Sequence, residues 1–247
     1  MTQKYTIGAG SYELPTREIS PANLAESSFL VANDAANTFA TAKRSIVADG
    51  FLSSAGKHAK LLPLVNDLWR QVFTSTENIG NEAAYLDKRE LKLFAVPEIT
   101  TPFEIARDLE IRTWFRGLTR AEKSAVLERI SSGQEQQHTV AALLRSPVAL
   151  ALDQELALVA EAHKSNCIAQ NPDEWDLIQA GRESVEWAER GMGHVRGIAH
   201  GLTERNETEV MQLALTSGHE AAAMLMFGDS AVANALRIIK NESRKAA

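Results

Sequence analysis

From Ser20 onward apolar residues recur every three or four positions, the spacing that lines one face of an α-helix. The stripe Leu24, Val31, Ala35, Phe39, Ala42 and Ile46 predicts a first helix. Ser20-Pro21 would open it as an N-cap with proline at the first helical position, and Gly50 would close it in a left-handed conformation. Leu64, Leu68 and Val72 predict a second helix from about Pro63 to Phe94, with Gly80 as a candidate break. Further starts are marked by local chemistry. Thr101-Pro102-Phe103-Glu104 and Thr119-Arg120-Ala121-Glu122 read as capping boxes, in which hydroxyl and carboxylate each satisfy an amide the helix leaves open. Gly117 and Gly133 close those two helices, and Asn171-Pro172-Asp173-Glu174 and Asn206 with Glu209 open two more. Little between Ser20 and Lys245 alternates with the period of a strand. The predicted class is all-α, a multi-helix bundle.

The first 19 residues break this pattern. Tyr5-Thr6-Ile7 has strand propensity, and Gly8, Gly10 and Pro15 stop any helix, which predicts a short extended N-terminal arm ahead of a helical domain over 20–247. Tyr5, Ile7 and Tyr12 are apolar enough to dock on a neighbouring subunit by extended pairing, the plain alternative being a frayed end. With few residues able to join a helical core, the arm is expected to be dispensable for folding. A sub-boundary is expected near 95–101, where Ala95-Val96-Pro97-Glu98-Ile99-Thr100 interrupts the helical periodicity.

The longest helical signal runs from Pro172 to about Thr203. Ile178, Gly181, Val185, Ala188, Met192, Val195, Ala199 and Leu202 form a seam with steps of three and four. Gly181, Gly191, Gly193, Gly197 and Gly201 fall in the same stretch, and at about 1 kcal/mol each relative to alanine they weigh roughly 4–5 kcal/mol against the helix. Close packing within the fold, a subunit or partner interface at Gly193, Gly197 and Gly201, or a kink or end near Gly191 would each offset that.

Composition narrows the function classes. At 247 residues, 45% hydrophobic and 23% charged, the chain is an ordinary globular one that can bury a sizeable core. A net charge of −6 argues against a surface built for nucleic acid. One cysteine, Cys167, excludes an internal disulfide, and no apolar run reaches the length of a signal peptide or a membrane span. The expected location is the cytoplasm of the producing cell, and a virion-associated protein would look the same.

Each local motif that suggests chemistry fails on spacing. Gly191-Met192-Gly193-His194-Val195-Arg196-Gly197 has one residue too many for a dinucleotide loop and no strand before it. Glu135-Gln136-Gln137-His138 is half of a di-iron signature without a second half, and after His219-Glu220 an alanine, Ala223, stands where a zincin needs histidine. Cys167, with only His163 and Lys164 as basic neighbours in sequence, reads as a buried, inert thiol. No catalytic residue, cofactor or metal is therefore expected. Leu118-Thr119, Glu122, Val126-Leu127, Ile130, Gly133, Val140-Ala141 and Leu144 resemble a response-regulator helix-turn-helix, with spacing off by one residue in two places. The segment that should enter the groove, Pro147 to Ala160, has no cation and contains Asp153 and Glu155, so nucleic acid is an unfavoured partner.

Ile111-Arg112, Phe115-Arg116-Gly117-Leu118, Ala121-Glu122, Leu127 and Ala141-Ala142-Leu143-Leu144-Arg145-Ser146-Pro147 resemble a segment of helical proteins of unknown role encoded beside the capsid and tail genes of tailed bacteriophages. The resemblance spans residues 111–147 and carries over no catalytic residue. It implies a virion or morphogenesis component acting by protein binding or self-association. The rival expectations are an enzyme whose site is assembled from dispersed residues and a helix-turn-helix regulator.

Overall fold

The computed structural model describes residues 2–17, 23–99, 101–145 and 154–246. Among them are ten helices and one two-stranded hairpin, so the chain is all-α with an extended N-terminal arm. It divides into two compact units, one built from residues 1–86 and 180–247 and the other from 87–179. The divisions fall inside two long helices rather than at the proline-containing segment 95–99.

In the first unit the arm is a hairpin. β1 (Thr2–Ile7) pairs antiparallel with β2 (Gly10–Pro15), with Tyr5 opposite Tyr12. Gly8 alone in the turn takes a positive φ, +61°, which suits a two-residue type II′ connection. From Lys4 on, side chains alternate: Tyr5, Ile7, Tyr12 and Leu14 are buried, while Lys4, Thr6, Ser11 and Glu13 are exposed. The buried face packs on α1 (Leu24–Ala48), where Tyr5 meets Phe29 edge-on at 5.4 Å. Asn37 clamps the turn, accepting from the Gly8 N–H at 3.1 Å and donating to the Thr6 carbonyl at 2.7 Å.

The buried stripe of α1 is Ala25, Phe29, Ala32, Ala36, Phe39 and Ala40. Of the stripe expected from sequence, Phe39 is buried, Ala35, Ala42 and Ile46 are half-buried, and Leu24 and Val31 are exposed. Alanines face the hairpin because two tyrosines lie over them, and a Cβ on Gly8 would come within 2.9 Å of the Ala40 Cβ. The predicted cap at Ser20-Pro21 lies outside the described residues; Asn23 caps the helix, accepting from the Glu26 N–H at 3.1 Å. Asp49 ends it in an extended conformation, and Gly50 is not left-handed, contrary to expectation.

α2 (Ser54–Leu93) starts nine residues before the expected position and runs through both Pro63 and Gly80. Val65, Leu68, Trp69, Val72, Phe73, Ile79 and Leu86 are its buried side. At Gly80 the reason for glycine is proximity: a Cβ there would meet the Leu225 Cδ1 at 2.6 Å.

Four helices lie wholly in the second unit: α3 (Pro102–Gly117), α4 (Arg120–Ser131), α5 (Gln137–Leu144) and α6 (Gln154–Gln170). The capping boxes at Thr101 and Thr119 form as predicted, and Gly133 is left-handed at φ +71°. The core here is small: Phe115, Val126, Ile130, Val140, Leu143 and Val159.

α7 (Pro172–Thr203) is continuous, with no break at Gly191. Ile178, Val185, Ala188, Met192, Val195 and Ala199 are buried, as the seam predicts. In the first unit the chain closes with α8 (Glu207–Thr216), opened by the predicted Asn206–Glu209 box, then α9 (Glu220–Phe227) and α10 (Asp229–Ala246). Left-handed Gly218 and Gly228 precede α9 and α10. Among the described residues, no helix is long and apolar enough to cross a membrane.

Candidate functional site

The arm residues expected to reach a neighbour are spent inside the chain. Tyr5 stacks on Tyr12 at 5.6 Å, and Phe29 and Trp187 close over them. The Tyr12 hydroxyl donates to Asn33 Oδ1 at 2.8 Å, whereas the buried Tyr5 hydroxyl has no hydrogen-bond partner among the described residues. Burial pushes both phenols above their ordinary range, and Glu26 adds to the shift at Tyr5. The end of the hairpin is tied down as well. Arg17 pairs with buried Glu26 at 2.6 Å and donates to Ser184 Oγ at 2.7 Å, while the Trp187 indole donates to the Pro15 carbonyl at 2.9 Å. What the hairpin leaves accessible is its polar face.

The glycines of α7 divide into two groups. A Cβ on Gly191 would lie 2.4 Å from the Phe29 ring, and one on Gly181 would lie 2.7 Å from Leu86. Gly193, Gly197 and Gly201 are exposed, with nothing within 4 Å of an added Cβ. Packing inside the fold is therefore corrected to Gly181 and Gly191. Gly193, Gly197 and Gly201 form an open strip that the structure does not bring together with Tyr5, Ile7 or Tyr12.

In the second unit α3 turns a mixed side inward. Its inward side carries Asp108, fully buried, and Arg112, beside Phe115. Asp108 accepts from Arg145 at 3.0 Å and Arg112 at 3.5 Å, and Arg145 also donates to the Pro97 carbonyl at 2.7 Å. Four large apolar side chains of α3 are exposed, with relative exposures of 74% at Phe103, 57% at Ile105, 61% at Leu109 and 45% at Trp114. At 3.6 residues per turn Phe103 and Trp114 fall on one flank of the buried side, and Ile105 and Leu109 on the other.

Each unit also has a cleft among the described residues. One, of about 410 Å³, is lined in the second unit by Cys167, His163, Glu135, Asn166 and neighbours. The Cys167 thiol lies 3.5 Å from His163 Nε2, and that nitrogen is 3.3 Å from the Phe94 carbonyl. Burial pushes the thiol up, the direction that disfavours a thiolate nucleophile at neutral pH. Lys164, the other basic neighbour, sits over the Phe94 and Trp175 rings at 5.4 and 5.3 Å. The second cleft, of about 600 Å³, lies in the first unit among α1, α2, α8 and the end of α7. Its floor includes buried Phe39 and Val65. Beside it Lys43 Nζ donates to the Leu202 carbonyl at 2.7 Å and pairs with Glu204 at 3.0 Å.

The histidine motifs resolve into ordinary contacts. His219 pairs with Glu77 at 3.1 Å, and Glu135 receives Arg129 at 2.9 Å. Among the described residues, no group of three His, Cys, Asp or Glu could hold a metal ion. Of the segment that a helix-turn-helix would place in the groove, residues 147–153 lie outside the described residues and the remainder opens α6. The chain matches no family model, no curated protein and no solved structure.

Proposed function

We propose that this chain is a helical protein-binding protein whose docking surface in the 87–179 unit is made by the exposed apolar side chains of α3. The observation that carries this reading is the exposure of four large apolar side chains on that one helix, Phe103 and Trp114 on one flank of its buried side and Ile105 and Leu109 on the other. Exposed apolar side chains gathered on one helix mark an interaction site more often than scattered single ones do. The partner is a protein presenting a complementary apolar surface. The resemblance over residues 111–147, which begins within α3, supports placing that partner in a bacteriophage particle or its assembly intermediates.

The reading is tested by affinity capture from producing cells with the wild type, the Phe103→Asp/Leu109→Asp double variant and a Glu110→Lys control. A specific partner held by wild type and control and lost from the double variant is expected. Because all three positions are exposed, helix content should not change. Identical capture by all three proteins would remove α3 as the docking surface. Co-sedimentation of the chain with phage particles or their precursors tests the assembly role.

A further inference from the structure

One flank of α3 carries Ile105, Leu109, Arg112 and Arg116, which follow one another at steps of four, three and four residues. At 3.6 residues per turn they fall within an arc of about 60° and form one row about 16 Å long. The row changes character halfway: its first two members are exposed aliphatic side chains and its last two are arginines. Those arginines are short of anionic partners. Arg112, its side chain 11% exposed, reaches Asp108 at 3.5 Å, and its Nε has no partner among the described residues. Asp108 is also held by Arg145 at 3.0 Å, so two guanidinium groups divide one carboxylate. Arg116 is exposed and pairs with no acid among the described residues. Between Glu110 and Glu122 the chain has Arg112, Arg116 and Arg120 and no acid, and the Glu122 carboxylate is taken up by the Thr119 cap.

We infer that this row binds a helix of a partner protein that carries two apolar side chains and two carboxylates in succession along one face. The inference rests on the reading of α3 as a docking surface and adds what the partner must present there. Steps of three and four residues are those of the seam by which two helices pack, so a helix is the occupant that follows the row along its length. The aliphatic half supplies apolar area, and the cationic half selects. A guanidinium fork matches a carboxylate with two N–H donors, and it is always charged. A wholly apolar or basic partner would strip water from Arg112 and Arg116 and leave them unpaired, which costs affinity. A nucleic-acid backbone suits the row less well. Ile105 and Leu109 offer a phosphate nothing, and the net charge of −6 opposes a polyanion.

Fluorescence anisotropy of labelled helical peptides, titrated with the full chain, tests the inference. The probes are amphipathic peptides with two leucines and then two glutamates on one face at the spacing of the row. Each is made in both chain directions, and a matching set has lysines in place of the glutamates. A glutamate peptide is expected to bind at least about tenfold tighter than its lysine counterpart. Arg116→Glu should reverse that preference, and Leu109→Asp should weaken both peptides. Both positions are exposed, so circular dichroism should stay that of the wild type. No binding of either glutamate peptide, equal binding of the glutamate and lysine peptides, or a preference that survives Arg116→Glu would each overturn the inference. Tighter binding of a short DNA duplex than of any peptide would overturn it in favour of a phosphate-binding surface. Equal binding of both peptide types that Leu109→Asp abolishes would remove the acidic partner and leave α3 as the docking surface. Failure of α3 itself shows separately, in the affinity capture with the Phe103→Asp/Leu109→Asp variant.

Discussion

Gly191 and Gly197 lie within two turns of the same helix and should respond to alanine with opposite signs. At Gly191 the new methyl would strike the ring of Phe29, which is itself wedged among Tyr5, Tyr12 and Trp187 and has nowhere to go. Gly191→Ala should destabilise by about 1–3 kcal/mol, as overpacking does. Gly197→Ala meets open space and should gain up to about 1 kcal/mol of helix propensity, read from urea melts. A Gly197→Ala variant that lost stability would show that a partner covers the strip in the protein used. The seam through Val185, Ala188, Met192, Val195 and Ala199 was legible from spacing alone. The open strip could have been read from the same spacing: Gly197 is two residues from both Val195 and Ala199, which at 3.6 residues per turn puts it on the far side of the helix. Hydrogen bonds from the Thr119 hydroxyl and backbone amide hold the Glu122 carboxyl below its ordinary range. A folded-state value below the unfolded one means this cap supports the fold above the ordinary carboxylate range and is lost as pH falls through the lowered value. Glu122→Gln should flatten that part of the stability–pH curve, and an unchanged slope would show the cap to be inert.

The hairpin shows what an element reading reaches and where it stops. Its extended character, its glycine turn and the alternation of Tyr5 and Ile7 with polar residues were all in the sequence. Its destination was not, because burial of a two-stranded ribbon depends on a helix some twenty residues further on. α1 was legible as a helix but its buried side was not, since a stripe built largely from alanine contrasts little with its surroundings. Capping boxes were read correctly because cap and partner are three residues apart. Pro63 misled because proline is commonest in a first turn, and here it stands well inside α2. The packing now contradicts a dispensable arm. Tyr12→Ala should cost about 3–5 kcal/mol, the range for truncating a buried aromatic, and deleting residues 2–15 should abolish the cooperative thermal transition. A truncated chain that melts like the full one would show that the hairpin is an ornament on an autonomous helical body.

The two units of the molecule differ in how much apolar surface they close over. The first gathers Trp69, Phe73, Phe29, Trp187 and four hairpin residues into one core, against six buried apolar residues clustered in the second. Opening free energy follows buried apolar contact, so amides of α3, α4 and α5 should exchange hydrogen before those of α1 and the second half of α7. Equal protection across both sets would mean that the units open together. The division itself was not legible, since no composition change marks Leu86 or Gln179 and helical periodicity continues through both. The exposure of Phe103, Ile105, Leu109 and Trp114 stayed hidden for a related reason: which apolar residues of a helix its neighbours cover is not set by spacing alone. The discontinuity of the first unit also imposes an order on synthesis. Residues 87–179 are contiguous and leave the ribosome as a complete set. Phe29 and the hairpin must wait for Trp187 and Met192, Trp187 lying 158 residues after Phe29, which at roughly 5–20 residues per second is an interval of about 8–30 seconds. Throughout that interval the hairpin and α1 have each other but lack the α7 side of their core, which makes the growing chain a client for any chaperone waiting at the exit tunnel.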